Sequence, residues 1–502
     1  MEIQLSSLVP FLLFLSSIFL LLRKWKTQEL NLPPGPWKLP FIGSLHHLVF
    51  AGPLPHHGLT NLAKRYGPLM LLQLGEQPTV FISSPQMAKE VLKTHDLAFA
   101  TRPKLTFAEI IKYGSTDIAF SPYGEYWRQI RKICVMELLS AKMVNSFSSI
   151  REDELSNMIS WIRLRPNIPV NLTEKVKWFT SSVVCRSALG KICKDQNKLI
   201  ILMREILSLA ISVNFADFFP RWKFLHDLGG SKTRLLKEHH KIDEILQDIV
   251  NEHKQNRVNG KMGNGEFGGE DLIDVLLRVR ESGQHQLPIT DDNIKAVIVD
   301  MFSAGTETSS TTIIWALAEM MKKPSVLAKA QAEVRQAMKG KKGFQLIDLD
   351  ELKYLKLVIK ETLRMHPPIP LLIPRECMEE TKINGFNIPL KTRVIVNIWA
   401  IGRNPESWED PESFMPERFE NNPIDFTGNH HQFIPFGAGR RMCPGMLFGL
   451  TNVAQLLAQL LHHFDWKLPN GQSPQDLDMT ESPGVSATRK DDLVFVATPY
   501  DS

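Results

Sequence analysis

Phe433-Ile434-Pro435-Phe436-Gly437-Ala438-Gly439-Arg440-Arg441-Met442-Cys443-Pro444-Gly445 is a run with three glycines, two adjacent arginines and one cysteine. A helical pattern from Leu447 to His462 follows it. A cysteine acts as ligand or nucleophile through its thiolate, whose pKa falls beside cations, backbone N–H groups and a helix N-terminus. All three adjoin Cys443. Glycines at 437, 439 and 445 let backbone approach a flat ligand closely. The plainer alternative for a lone cysteine is a buried structural thiol, and the loop around this one argues against it. Cys134, Cys185, Cys193 and Cys377 make no CxxC or CxxH spacing. That excludes a secreted disulfide scaffold and a zinc finger, and implies a reducing compartment.

Thiolate is also the axial ligand that pushes electron density onto haem iron and favours O–O cleavage. Phe436, Gly439, Arg441, Cys443 and Gly445 match the ten-residue haem-binding signature of the cytochrome P450 family, and the chain resembles that family throughout. The resemblance implies a mainly α fold, a large helical domain with a small β-rich subdomain. It implies a haem b with Cys443 as iron ligand and the other signature residues around it.

A second run, Asp300-Met301-Phe302-Ser303-Ala304-Gly305-Thr306-Glu307-Thr308-Ser309, lies within a helical pattern from Thr290 to Lys322. Gly305 costs such a helix about 1 kcal/mol relative to Ala. Thr308 can bond back to a carbonyl and open the ladder locally. A kink with a polar pocket is expected. The resemblance implies the distal helix over the haem, with Thr308 and Glu307 relaying protons so that one oxygen atom leaves as water.

Glu361 and Arg364 stand at i, i+3 on one helix face. The resemblance joins them to Arg418 in a buried structural triad. It also makes Trp127 and Arg131 ligands of the haem propionates, with Arg375 and Arg441 as further cationic donors. Arg128 and Lys132 read as a surface patch for an acidic redox partner. Substrate-facing positions carried over are Ile118, Phe120, Phe302, Ala304, Ile369, Leu372 and Val485. All are apolar, so a lipophilic small molecule is expected.

Ile3 to Leu22 is a 20-residue stretch without charge, followed by Arg23, Lys24 and Lys26. At 1.5 Å per residue it spans about 30 Å, one hydrocarbon thickness. The basic flank belongs on the cytoplasmic side. The organisation expected is an anchor at 1–22, a basic and Pro-rich hinge at 23–40, and a cytosolic body at 41–502. The resemblance implies a single-pass protein of the endoplasmic reticulum membrane and a monomer. Phe218 to Leu225 mixes aromatics with bases, and reads either as a membrane-dipping face or as core packing. Helical spacing recurs over Ser148–Arg163, Leu235–Arg257 and Ser325–Met338, while Val258 to Glu270 is Gly-rich and reads as a loop. Strand-like runs are Leu69–Leu74, Thr79–Ile82, Arg393–Ile398 and Leu493–Ala497, and alternating βαβ units are absent.

Balanced charge, 59 Lys+Arg against 54 Asp+Glu, does not indicate a nucleic-acid partner. No G-x-G-x-x-G lies on a strand–helix turn, so electrons come from another protein. By resemblance this is NADPH–cytochrome P450 reductase, which brings the NADPH, FAD and FMN. At finer grain the chain is similar to the plant microsomal A-type branch that oxidises terpenoids. Hydroxylation or epoxidation of a sesquiterpene or diterpene, with O2 as co-substrate, is the expected reaction. An indole alkaloid or an unsaturated fatty acid is the alternative substrate. Other classes are a hydroperoxide isomerase or dehydratase, which typically disrupts the Thr and acid kept here, and a non-enzymatic haem protein. An electron carrier would fill both axial positions. The distal segment offers only Met301, expected to face away from Thr308.

Overall fold

The computed structural model describes residues 31–190, 196–211, 215–222, 230–260, 270–283, 288–340 and 347–500, with Phe14, Ser16 and Ser17. The rest of the expected anchor, residues 23–30, and residues 261–269 of the Gly-rich run lie outside them. Among the described residues no helix is long and apolar enough to cross a membrane. The Pro-rich part of the expected hinge lies on the body: Leu71 N–H donates to Pro34 O at 2.8 Å, and Leu32 packs on a buried apolar cluster.

Helices make most of the body. Those that matter here are α1 (Pro55–Tyr66), α2 (Thr106–Ile111), α3 (Glu125–Ile133), α4 (Ser148–Arg163), α5 (Leu172–Leu189), α6 (Gln196–Ile211), α7 (Ser231–Val258), α8 (Asp291–Lys322), α9 (Pro324–Met338), α10 (Lys353–Met365) and α11 (Met446–His463). Helix α8 starts with a reciprocal cap. Thr290 Oγ1 accepts Asn293 N–H at 3.2 Å, and Asn293 Oδ1 accepts Thr290 N–H at 2.9 Å. Asp291 and Asp292 add negative charge at the positive end of the helix dipole. Helix α5 is capped by Asn171 Oδ1 and ends at Gly190, whose φ of 65° suits glycine. Helix α8 packs most extensively against α5 and then α11, so it runs through the core with both flanks buried.

A four-stranded sheet stands beside this bundle. Strands β1 (Leu69–Leu74) and β2 (Gln77–Ile82) are antiparallel; β2 pairs in parallel with β5 (Arg393–Val396), which pairs antiparallel with β4 (Arg375–Glu376). A smaller antiparallel sheet orders β3 (Pro169–Asn171), β7 (Val494–Pro499) and β6 (Phe464–Lys467). Strands β3 and β6 were not foreseen: three or four residues give no readable alternation.

The expected triad meets at the end of α10. Glu361 is 0% exposed and accepts Arg364 Nε and Nη2 at 2.8 Å each, Arg418 Nε at 2.9 Å and Met415 N–H at 2.7 Å. Arg364 spends its other donors on the carbonyls of Gly402, Pro411 and Ser413. One buried carboxylate thus ties α10 to the irregular chain that leads toward Cys443. Glu361→Ala leaves two guanidinium groups without their counter-charge, a loss of about 3–5 kcal/mol. Thermal unfolding of the purified variant should show a correspondingly lower midpoint, and its yield of pigmented protein should collapse.

Candidate functional site

The cysteine loop folds on itself before α11 begins. Cys443 N–H donates to Phe436 O at 3.0 Å. Gly439 has φ of 70°, and a Cβ there would collide with Leu92 O and the Asp96 carboxylate. Asp96 accepts Arg440 N–H at 3.2 Å and Arg375 Nη1 at 3.3 Å, so it organises the loop from outside, and no local pattern marks it. Phe436 packs edge-on against Phe426 at 5.5 Å. A Cβ on Gly445 would meet no protein atom within 4 Å. Cys443 is accessible yet set deep within the protein, so its side chain borders an interior hollow. Burial pushes its thiol up, against the opposing pull of the Gly445 N–H and Arg131. Desolvation outweighs the nearby cations at this thiol.

Helix α8 forms another wall. A Cβ on Gly305 would press on Val184 Cγ2 at 2.9 Å and reach Phe448 Cε1 at 3.9 Å, and one on Gly449 would reach Ser309 Oγ at 3.5 Å. Distal helix and start of α11 therefore meet close to Cys443. Gly305 serves this close packing of α5 on α8. Ala304 is exposed in the middle of the helix, and Met301, Gly305 and Thr308 near it are half-buried, which marks the face toward the hollow. Thr308 Oγ1 donates to Ala304 O at 2.6 Å as expected, yet the helix runs unbroken from Asp291 to Lys322. The hydroxyl is added to the helix without opening the ladder. Met301 also departs from expectation. Seven residues turn about 700°, near two full turns, so it shares the face of Thr308. Glu307 lies to one side, on a small void shared with Lys177, Ser303 and Thr306.

Cations gather beside the hollow. Trp127, 3% exposed, carries Arg441 over its ring at 4.0 Å and Arg131 at 5.4 Å. Its indole N–H donates to Ile118 O at 3.0 Å. Arg131 donates to Met442 O, Arg375 to Ala438 O, and Arg441 to the carbonyls of Ala100, Ile118 and Ser121. A fourth group, Arg102, donates to the carbonyls of Ala119, Ile373 and Pro374. Sequence reading missed Arg102; its only signal was an arginine before a proline in an extended stretch. Carbonyls satisfy these N–H groups but not their charge. Of the four, only Arg375 has a carboxylate within ion-pair distance among the described residues. Arg441 is pushed down to about 9 by burial and then by Arg375 and Arg131, and Arg102 is lowered by burial and then by Arg441 and Arg375. The interior thus holds positive charge that awaits an anion, beside a thiol at a hollow. A haem with two propionates fits this donor set.

The apolar positions separate. Ile118 and Phe120 lie on the 118–121 segment, Phe120 edge-on to Phe107 of α2 at 6.1 Å. Ile369 and Leu372 share a turn closed by Leu372 N–H to Ile369 O at 3.0 Å, and Leu372 Cδ1 lies 3.9 Å from a Cβ built on Gly437 of the cysteine loop. Val485, 40% exposed, tips a turn tied to Pro368 through Ala487 N–H. Phe302 does not join them. It lines an apolar void with Cys185, Leu199 and Ile242 and borders the one at Glu307, because two residues before Ala304 is more than half a turn around the helix.

The model of the family described as cytochrome P450 matches residues 33–495. Premnaspirodiene oxygenase of Hyoscyamus muticus is 60% identical over 500 residues, 99% of each chain. The 5-epiaristolochene 1,3-dihydroxylase of Nicotiana tabacum is 59% identical over 502 residues, again 99% of each. Desmethyl-deoxy-podophyllotoxin synthase of Sinopodophyllum hexandrum is 51% identical over 482 residues, 96% of this chain and 94% of its own. Among solved structures, a zebrafish cytochrome P450 with progesterone superposes with a TM-score of 0.77 at 27% identity, covering 89% of this chain and 99% of that one.

The cation cluster yields a test. Arg102→Met removes one charged donor, and charge-assisted bonds are worth about 1.5–3 kcal/mol. Transfer of haem from the purified variant to apomyoglobin should be roughly tenfold faster or more than from the unmodified protein. An equal rate would remove Arg102 from the group.

Proposed function

Since this chain belongs to the cytochrome P450 family and is a haem-thiolate monooxygenase, we propose that its substrate is a sesquiterpene hydrocarbon, which it hydroxylates. One observation carries the reading: two relatives named for sesquiterpene substrates align with the whole chain at 59–60% identity. The apolar character of Ile118, Phe120, Ala304, Ile369, Leu372 and Val485 supports it, since a hydrocarbon offers nothing to pair with a charge.

The haem, once bound, supplies the dioxygen and one-electron chemistry. The chain's own residues do the rest. Cys443 would hold the iron. Arg102, Arg131, Arg375 and Arg441 would hold the two carboxylate arms, with Trp127 packed against Arg131 and Arg441. Thr308 Oγ1 donates to Ala304 O, which leaves its lone pairs to accept a hydrogen bond on the side of the hollow. Glu307, on the void it shares with Lys177 and Ser303, takes a proton from solvent water and gives it up toward that face, its carboxylate then ready for the next.

Electrons come from NADPH–cytochrome P450 reductase. Arg128, Lys132 and Arg440 are exposed near the thiolate side and suit an acidic partner. The chain is held to the endoplasmic reticulum membrane by residues 1–22, with the basic part of 23–40 as hinge and the Pro-rich part already on the cytosolic body. Exposed Trp37, Phe41, Val49 and Phe50, with Trp222 edge-on to Phe41 at 5.8 Å, form an apolar patch that supports contact with lipid.

Microsomes containing this chain and a plant reductase, given NADPH and either premnaspirodiene or 5-epi-aristolochene, should yield a product heavier by one oxygen. Thr308→Val should lower the product formed per NADPH consumed by about tenfold or more. Oxidation of neither hydrocarbon by haem-loaded protein, with turnover of a deoxy-podophyllotoxin-type lignan, would overturn the substrate assignment.

A further inference from the structure

Helix α2 ends at Lys112, and the chain then turns back through Tyr113, Gly114 and Ser115, all with φ between 50° and 75°. Lys112 is 3% exposed. Its ammonium is buried against α8, where it donates to Asp300 Oδ1 at 2.8 Å and Ser303 Oγ at 3.4 Å. The other Asp300 oxygen accepts the N–H groups of Ile118 at 2.8 Å and Ala119 at 3.1 Å. Asp117 is 0% exposed, and both its oxygens lie 3.2 Å from Phe120 N–H. Burial and then the Asp300 charge push the Asp117 carboxyl well above the usual carboxylate range. Lys112 and Asp300 answer each other's charge, which permits their burial.

The same short segment is held from its other side. The Ile118 carbonyl accepts Trp127 and Arg441, Ala119 O accepts Arg102, and Ser121 O accepts Arg441. Its N–H groups answer to the distal helix and its carbonyls to the haem-side cations. The two side chains so fixed, Ile118 and Phe120, are pocket positions. We propose that Asp300 is a specificity-determining positioning residue, whose carboxylate bridges Lys112 and the 118–119 backbone and so fixes the shape of the pocket above the haem. The proposal rests on the haem site and not on the sesquiterpene reading.

Asp300→Asn keeps size and shape, but an amide has one acceptor oxygen and one donor nitrogen. Whichever way it turns, a donor faces either Lys112 or the two peptide N–H groups. Hydrogen exchange of the 116–121 peptide should rise at least tenfold in this variant, with peptides from α5 and α11 unchanged. Spectral titration supplies the second readout. The dissociation constant for imidazole, which needs only the iron, should stay within twofold. The ratio of clotrimazole to imidazole affinity should change at least fivefold, because clotrimazole must fit beneath the segment. Lys112→Met should change both readouts in the same direction, and the double variant should add little to Asp300→Asn, since both act through one carboxylate. Unchanged exchange at 116–121, or raised exchange with an unchanged azole ratio, would overturn the proposal. If Asp300→Asn does not bind haem, Lys112→Met alone decides by the same two readouts.

Discussion

Four guanidinium groups gathered in one part of the interior, with one carboxylate in contact, leave positive charge that the protein itself does not answer. Buried charge is tolerated when it is paired. Arg102, Arg131, Arg375 and Arg441 instead spend their N–H groups on backbone carbonyls from four separate stretches: residues 100–121, the turn at 373–374, Ala438 and Met442. The cluster therefore stitches the sheet side, the loop after α2 and the cysteine loop together. It also creates the demand that a dianionic ligand meets. Fold and cofactor depend on the same four side chains.

Around that constraint the structure divides its polar interactions by task. Glu361 balances Arg364 and Arg418 within the protein and needs nothing from outside, so it serves the scaffold. Asp96 takes hold of Arg375 and Arg440 and shapes the loop under Cys443. Asp300 and Lys112 close on each other and spend the remaining capacity of the carboxylate on the chain that borders the hollow. Ala304 is the exposed residue at the centre of the long helix, with Thr308 half-buried one turn on. The pocket positions we propose, Ile118, Phe120, Ile369, Leu372 and Val485, are apolar, which suits a site that binds through shape.

Much of this was legible in the sequence where the pattern is long or the chemistry unusual. Helix α4 runs over the residues its spacing indicated, α8 differs only in that Thr290 is its cap, and the loop at Cys443 was readable from glycine, arginine and cysteine together. Short features escaped. Strands β3 and β6 hold three or four residues and are defined by partners far along the chain. Arg102 and Asp96 carry no local pattern, and their importance arises from the meeting of segments separated by more than 250 residues. Phe302 was assigned to the pocket by its place in a motif, whereas the turn of the helix sends it into the packing of α5 and α7. The unbroken ladder at Thr308 and the raised thiol of Cys443 have a common lesson: a local propensity yields to packing on one hand and to desolvation on the other.

The central claim is that Cys443 binds the haem iron as its thiolate at the floor of this hollow. The most direct test is the carbon monoxide difference spectrum of the reduced protein, taken for the unmodified chain and for Cys443→Ser. The account predicts the long-wavelength band of thiolate ligation in the first and its loss in the second. The same thiolate band in Cys443→Ser, or haem bound by the unmodified chain without that band, would contradict it.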